Sequence, residues 1–169
     1  QLSDYIYELK KNDEKGIQKS NVNGWHSKNF KVEKDNVPYN FVKAIHEHVK
    51  EAIVDGYGWK YIPEKVGISE IWAIINKKGT FNQSHNHPGS YLSAAYYVKA
   101  PENCGNIHFY EPNEVKKFHT PPIEKMTELS SSGFSVKPEE GNLLIFPSYL
   151  YHDVGKSLSD EDRIVISFN

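Results

Sequence analysis

Cysteine is nearly absent from the sequence: among 169 residues, Cys104 stands alone. A single cysteine cannot form an internal disulfide, and it cannot supply the several thiolates of a structural zinc cluster. Intracellular proteins commonly do without both, so we expect a cytoplasmic protein. The chain begins with Gln1 rather than Met, and we expect its natural N-terminus to lie further upstream.

The sequence also lacks long apolar runs and any excess of positive charge. No apolar stretch approaches the roughly 18 residues of a membrane-spanning helix, so we predict no membrane partner. The formal net charge is −2, and the lysines are interspersed with acidic residues rather than gathered in a basic stripe. We therefore predict no nucleic-acid partner.

Arginine is as scarce as cysteine. Of the 20 basic residues, Arg163 is the only arginine. Drift of nucleotide composition explains the excess of lysine. An isolated arginine can also mark a place where a planar guanidinium is needed, because it donates two parallel hydrogen bonds as lysine cannot. The residue alone leaves both interpretations open.

Length and periodicity predict one domain in which helices precede strands. A chain of 169 residues is long enough to bury a substantial core. Helices are predicted over residues 4–16 and 38–56, and the second carries an apolar stripe of helical period. After Gly56, short runs rich in Val, Ile, Tyr and Phe predict strands at 68–76, 91–99, 106–111, 133–138, 142–147 and 163–169.

This order of elements predicts a mainly β protein with N-terminal helices packed outside a jelly roll or barrel. Within a single domain spanning residues 1–169, we place the helical part at about 1–58 and the jelly-roll core at about 66–169. Residues 111–132 show little periodicity. Long insertions of this kind often form lids or binding loops, and a lid is our prediction here.

Two His-x-His pairs stand out among the eight histidines. His46 and His48 fall in a predicted helix, where residues two apart do not share a face, so we expect them to be solvated or half-buried. His85 and His87 fall in a turn-rich stretch between strands, and in extended backbone both rings can point the same way. A polar turn without metal would show the same spacing.

A metal site at the second pair needs a third ligand from elsewhere in the chain. The best candidate is His152, which follows an apolar strand and a proline turn. His108 lies inside a predicted strand and His119 in the long insertion, and both are weaker candidates.

The combination resembles the 2-oxoglutarate- and Fe(II)-dependent oxygenases, whose motif is His-x-Asp/Glu, a distal His, and an Arg or Lys shortly after it. Here His152 lies 65 residues after His87, and Arg163 lies 11 residues after His152. The match narrows to a prolyl-hydroxylase-like branch with an H-x-H-P motif and an uncharacterised substrate. It rests on SNVNGWHS, IWAIIN, SHNHPGS, YLSAAYYVK, FPSYLYHDV and RIVISFN.

This resemblance implies a double-stranded β-helix (a cupin-like jelly roll) that uses Fe(II), 2-oxoglutarate as cosubstrate, and O2. Such enzymes decarboxylate 2-oxoglutarate to succinate and hydroxylate a second substrate, here a small molecule or a peptide. The family motif implies His85 and His152 as metal ligands and Arg163 as the residue that binds the distal carboxylate of 2-oxoglutarate. Tyr97 and Asn76 match further cosubstrate contacts.

One position departs from the common motif, because His87 stands where a carboxylate is usual. His87 can be the third ligand, Glu111 or Asp153 can complete the set instead, or two histidines can suffice. We favour His87, since imidazole is a good iron ligand and the spacing is right. The predicted catalytic residues are therefore His85, His87, His152 and Arg163.

Two other functions stay open at this point. A cupin-type thiol dioxygenase also uses three histidines in a jelly roll, with an arginine that binds a substrate carboxylate, but it uses no 2-oxoglutarate. A jelly roll without iron chemistry would serve as a binding module. The position of Arg163 after the distal histidine favours the 2-oxoglutarate oxygenase.

Overall fold

The computed structural model describes residues 1–127 and 130–169. In this part of the chain, α-helices span Leu2–Asn12 (α1), Val37–Glu51 (α2) and Glu114–Phe118 (α3). A π-helical turn at Ala52–Gly56 continues α2, and a 3-10 turn covers Pro63–Lys65. The strands are β1 Asn21–Val22, β2 Trp25–His26, β3 Ile71–Asn76, β4 Phe81–His85, β5 Leu92–Lys99, β6 Ile107–Tyr110, β7 Gly133–Val136, β8 Leu143–Pro147, β9 His152–Val154 and β10 Arg163–Phe168.

These strands form two five-stranded sheets. Sheet A has the order β1-β4-β9-β6-β7, and sheet B has the order β2-β3-β10-β5-β8. All neighbouring strands run antiparallel. The predicted architecture, a mainly β jelly roll with N-terminal helices, is confirmed.

Sheet B separates the main apolar core from the interior of the jelly roll. Alternate residues of β10, Ile164, Ile166 and Phe168, join the core that the buried side chains of α1 and α2 complete. Val165 lies on the opposite face with Ala95 and Tyr97. Side chains alternate between the two faces of a strand. One face of sheet B therefore packs against the helices, while the side chains of the other face point into the interior of the jelly roll.

The start of α2 follows from its sequence. The side chain of Asn36 caps the helix by accepting a hydrogen bond from the backbone N–H of Tyr39 at 2.8 Å. Pro38 stands in the first turn, where its missing N–H costs no helical hydrogen bond. Phe41 and Ile45 then bury the apolar stripe against sheet B.

The prediction for the first helix was wrong at both ends, since α1 spans Leu2–Asn12 rather than 4–16. Gly16, predicted as the helix end, instead lies in a turn with φ +57. A Cβ at this position would lie 2.4 Å from the backbone oxygen of His26. The helix therefore ends before Gly16, because the backbone at Gly16 packs closely against β2.

Four strands were not predicted, namely β1, β2, β4 and β9. Three of them have only two or three residues, which is too few to show alternation. The sequence of β4, FNQSH, is polar. β1 joins sheet A and β2 joins sheet B, so the N-terminal part contributes strands as well as helices.

The long insertion at 111–132 contains α3, and its residues 128 and 129 lie outside the described residues. Lys116 links the two ends of the insertion, because its Nζ donates to the carboxylate of Glu111 at 3.0 Å and to the backbone oxygen of Ser131 at 2.8 Å. The role of this segment as a lid stays a prediction.

No helix among the described residues combines the length and the apolar character needed to span a membrane.

Replacing Ile6 by alanine should destabilise the protein, because this side chain of α1 is 0% exposed within the main core. We expect a loss of about 2–4 kcal/mol in the free energy of unfolding, measured by urea denaturation. The matched control is Val54→Ala, whose side chain is 41% exposed and should cost less than about 0.5 kcal/mol. Equal losses in both variants would contradict the packing of α1 onto sheet B.

Candidate metal and cosubstrate site

Two histidines face each other across neighbouring strands of sheet A. His85 ends β4 and His152 begins β9, and the strand register pairs them directly, with ring centroids 4.3 Å apart. The Nδ1 of His85 donates to the backbone oxygen of Gln83 at 2.7 Å, and that of His152 to the oxygen of Leu150 at 3.0 Å. Because a carbonyl can only accept, the proton sits on Nδ1 and the lone pair of Nε2 can face a metal. In His85 this Nε2 lies 3.4 Å from the hydroxyl oxygen of Ser20, a long contact that a metal ion would displace.

The third imidazole comes from the turn after β4. The backbone N–H of His87 donates to the carbonyl of Ser148 at 2.9 Å, which ties this turn to the end of β8. The His87 ring centroid lies 5.0 Å from that of His85 and 5.2 Å from that of His152. One ligating nitrogen from each of the three residues lies within 4.8 Å of the others. The structure thus brings together the three histidines that the sequence singled out.

Burial keeps these imidazoles neutral. Desolvation lowers the pKa of His85, lowers the pKa of His87 to about 3, and lowers the pKa of His152 to about 4. The pKa of His87 is lowered further by the other histidines, which would repel its charged form. Only the neutral form of imidazole has a lone pair for a metal, so all three residues are ready to ligate at neutral pH.

The carboxylates considered as alternative ligands point elsewhere. Asp153 follows His152 on β9, so its side chain faces the opposite side of sheet A, where it accepts a hydrogen bond from the hydroxyl of Tyr110. The carboxylate of Glu111 pairs with Lys116. Among the side chains that the structure describes, no aspartate or glutamate joins the cluster of three histidines.

The other histidines considered as ligands lie apart from this cluster. His46 and His48 are exposed on α2, which confirms the prediction for that pair. His108 lies on β6 beside Gly155, and His119 is exposed after α3.

Arg163 is an uncompensated buried cation. Its side chain is only 2% exposed, and no carboxylate of the described residues pairs with it. Nη1 donates to the backbone oxygen of Gly105 at 3.2 Å and Nη2 to Oδ1 of Asn76 at 2.9 Å, whereas Nε has no partner in the described chain. Desolvation lowers the pKa of Arg163. A buried charge of this kind is costly unless an anion accompanies it.

The carbonyl that holds Arg163 depends on a glycine. Gly105 adopts φ +90, a conformation that L side chains rarely take. A Cβ at this position would lie 2.1 Å from the backbone oxygen of Gly155. The close approach of these two chain segments therefore sets where the Gly105 carbonyl meets the guanidinium.

Asn76 and Tyr97 flank Arg163 in different ways. Asn76 pairs with Arg163 across β3 and β10, and its Nδ2 donates to Thr80 Oγ1 at 3.0 Å, so protein groups already engage both ends of its amide. Tyr97 lies on β5 opposite Val165, and burial raises the pKa of its hydroxyl to about 12. Tyr97 therefore stays protonated and can donate a hydrogen bond at neutral pH.

A single cavity of about 660 Å³ between the sheets connects these groups. Its lining includes the three histidines together with Tyr97 and Arg163. A volume in this range accommodates small organic ligands. The predicted metal ligands and the predicted carboxylate-binding residue thus face one space.

Sequence reasoning missed two further residues of this cavity, His26 on β2 and Trp72 on β3. Their rings stack at an interplanar angle of 8°, with centroids 5.6 Å apart, and Trp72 also lies 5.7 Å from the ring of His87. Strand parity could have identified Trp72, because residues 72, 74 and 76 share a face of β3. No comparable pattern existed for His26, since β2 has only two residues.

Solved structures with a similar fold include enzymes that act with 2-oxoglutarate. A prolyl-4-hydroxylase from Pseudomonas putida has a TM-score of 0.63 at 14% identity, covering 99% of this chain and 82% of that one. A viral collagen prolyl hydroxylase from Paramecium Bursaria Chlorella virus-1, in complex with 2OG, has a TM-score of 0.59 at 15% identity, covering 99% and 85%. At such identities the likeness shows the fold alone.

A third similar structure is the epimerase SnoN from nogalamycin biosynthesis, in complex with Fe3+, alpha ketoglutarate and nogalamycin RO. Its TM-score is 0.64 at 13% identity, covering 99% of this chain and 72% of that one. A comparison of the sequence with curated proteins finds no match.

Residues 70–169 match the model of the family described as "Putative 2OG-Fe(II) oxygenase". This range holds β3 to β10, and with them the three clustered histidines, Tyr97 and Arg163. The chain therefore belongs to the 2OG-Fe(II) oxygenase family.

Proposed function

We propose that the protein is an Fe(II)- and 2-oxoglutarate-dependent dioxygenase that converts 2-oxoglutarate to succinate and hydroxylates a second substrate. The observation that carries this proposal is the buried, uncompensated Arg163 in the same cavity as three convergent neutral imidazoles. We treat residues 1–169 as one oxygenase domain, because β1 and β2 from the N-terminal part extend both sheets.

The histidine cluster fits Fe(II). His85, His87 and His152 would hold the ion through imidazole nitrogens, which are good ligands for iron. The carbonyls of Gln83 and Leu150 orient two of the rings through their Nδ1–H groups. Bound iron would supply the activation of O2, and the three imidazoles would hold it in the cavity.

Arg163 fits the distal carboxylate of 2-oxoglutarate. A guanidinium carries five N–H donors, of which Gly105 and Asn76 each take one. The remaining donors can bind a carboxylate in the bidentate manner that arginine favours. Tyr97 adds a neutral hydroxyl donor from the neighbouring strand. An anion here would neutralise the buried charge.

Apolar side chains pack around this region of the cavity. Ala95 and Val165 pack around Tyr97, and Ile107 and Phe146 form a second cluster. The ring of Phe146 meets that of His152 with centroids 4.9 Å apart. Exclusion of water strengthens the pairing between a guanidinium and a carboxylate, because the local dielectric is low.

The substrate that we propose is a small molecule, such as an amino acid, or a peptide. The printed names of two similar structures, a prolyl-4-hydroxylase and a collagen prolyl hydroxylase, support a peptidyl or amino-acid substrate. We also place the protein in the cytoplasm, where the buried free thiol of Cys104 would stay reduced.

A direct test of the function is anaerobic titration of the Fe(II)-loaded protein with 2-oxoglutarate. We expect a weak visible charge-transfer band, because the keto acid would bind the iron. Tight iron binding without the band would favour a cupin-type dioxygenase that does not use 2-oxoglutarate. Failure to bind iron would favour a binding module instead.

Alanine variants of the three histidines test the metal ligands. We expect His85→Ala, His87→Ala and His152→Ala each to lose most of the bound iron, measured by elemental analysis after anaerobic loading, because each removes one of three ligands. His46→Ala is the control, since this histidine is exposed on α2. Unchanged iron content in His87→Ala would remove that residue from the ligand set.

Replacing Arg163 by methionine should abolish tight binding of 2-oxoglutarate. Removing one partner of a buried ion pair corresponds to a loss on the order of 100- to 1,000-fold in affinity, measured by calorimetry on the Fe(II)-loaded protein without O2. Arg163→Lys keeps the charge but not the planar pair of donors, so a smaller loss of about 10-fold is expected. Wild-type affinity in the methionine variant would contradict the assignment.

A further inference from the structure

We infer that His26 and Trp72 form the substrate subsite of the cavity, and that this subsite takes an amide group of the carboxamide or peptide type. The inference rests on the proposed function, because it assigns the second substrate to the end of the cavity that Arg163 does not use.

The strand register divides the cavity into two ends. Across β3 and β10, Arg163 pairs with Asn76 at one end, whereas Ser167 pairs with Trp72 at the other. The four residue steps from Trp72 to Asn76 correspond to roughly 13 Å along the strand. The ring of His87 lies beside Trp72, so the second end adjoins the histidine cluster. A molecule bound there would meet the cluster without competing for Arg163.

Trp72 presents an unsatisfied donor at this second end. Its side chain is 7% exposed and lines the cavity, yet its indole N–H has no acceptor in the described chain and is closed to water. Leaving a buried donor unpaired is costly, and native proteins rarely do so without a functional reason. A ligand oxygen would satisfy the N–H once the side chains that enclose it move aside.

His26 presents an acceptor beside this donor. Its side chain is 6% exposed and lines the same cavity. Nδ1 donates to the backbone oxygen of Ser27 at 2.7 Å, so the proton is on Nδ1. Burial lowers the pKa of His26, which leaves Nε2 as a neutral acceptor, and Nε2 has no hydrogen-bond partner among the described residues.

The two stacked rings therefore offer one hydrogen-bond donor, the indole N–H of Trp72, and one acceptor, Nε2 of His26. An amide matches this pair, because its carbonyl oxygen accepts from the indole N–H while its N–H donates to imidazole Nε2. An ester has the carbonyl oxygen but lacks the N–H, so it would satisfy only the Trp72 half. Specificity of this kind is strong, because a buried polar group left unpaired penalises the wrong ligand.

The test is NMR on 15N-labelled protein loaded with Zn(II) and 2-oxoglutarate, a diamagnetic and inactive complex. The chain has three tryptophans, so three indole N–H signals are expected, and Trp72→Phe assigns the one of interest. The probes are N-methylamides of simple carboxylic acids, each with a single amide group, and the corresponding methyl esters, which contain no amide. We expect amides to move the Trp72 signal downfield in a saturable way, with esters binding about ten-fold more weakly.

His26→Phe separates the acceptor from the ring stack, since phenylalanine keeps a flat ring over Trp72 but has no lone pair. This variant should lose the preference for amides over esters. The matched controls are Trp59→Phe and His46→Phe, because both residues are exposed and lie outside this cavity. They should keep the wild-type preference.

Binding of 2-oxoglutarate, followed on the same samples, separates the two proposals. Failure of the wild-type protein to bind it would contradict the proposed function. Binding of 2-oxoglutarate without any amide-induced shift of the Trp72 signal, or an amide preference that survives in His26→Phe, would overturn the subsite alone.

Discussion

The buried positive charge of Arg163 is the constraint on which the rest of the site depends. A guanidinium this deeply enclosed loses the solvation that water would provide. Among the described residues it donates hydrogen bonds to two acceptors, the carbonyl of Gly105 and Oδ1 of Asn76. Neither partner carries a charge. A buried cation with uncharged partners suits an anionic ligand, and 2-oxoglutarate is the anion that we propose for this member of the 2OG-Fe(II) oxygenase family.

Strand pairing brings the residues of this site together from distant parts of the sequence. The β4–β9 register sets His85 against His152, and the β3–β10 register sets Asn76 against Arg163. Sheet A and the turn after β4 supply the proposed metal ligands, and sheet B supplies the groups proposed to bind the carboxylate. Because both sets sit on paired strands or on a turn tied to one, their geometry is largely determined before any ligand binds.

The sequence predicted the architecture and the cluster of histidines well, and the physical reasons are local. Strands such as β5 and β10 are long enough, at six or more residues, to be recognised from their apolar pattern. In an extended segment, the two histidines of His-x-His point to the same side, so both rings can approach one metal ion. The short strands β1, β2 and β9 were not predicted, because they form only by pairing with strands far away in the sequence.

The supporting contacts of the site were not predictable in the same way. The match to the family motif suggested Asn76 as a cosubstrate contact, which stays a prediction, but its hydrogen bonds with Arg163 and Thr80 were not predicted. The stacking of His26 on Trp72 joins strands that no pattern paired. Such contacts depend on side-chain geometry across a sheet, which composition and periodicity do not encode.

Gly105 illustrates how far such dependence reaches. It offers no side chain to any ligand, yet its left-handed backbone and its approach to Gly155 determine where the guanidinium is held. Across natural variation, this position should then tolerate change as poorly as the three clustered histidines. An inventory of essential residues drawn up from side-chain chemistry would overlook it.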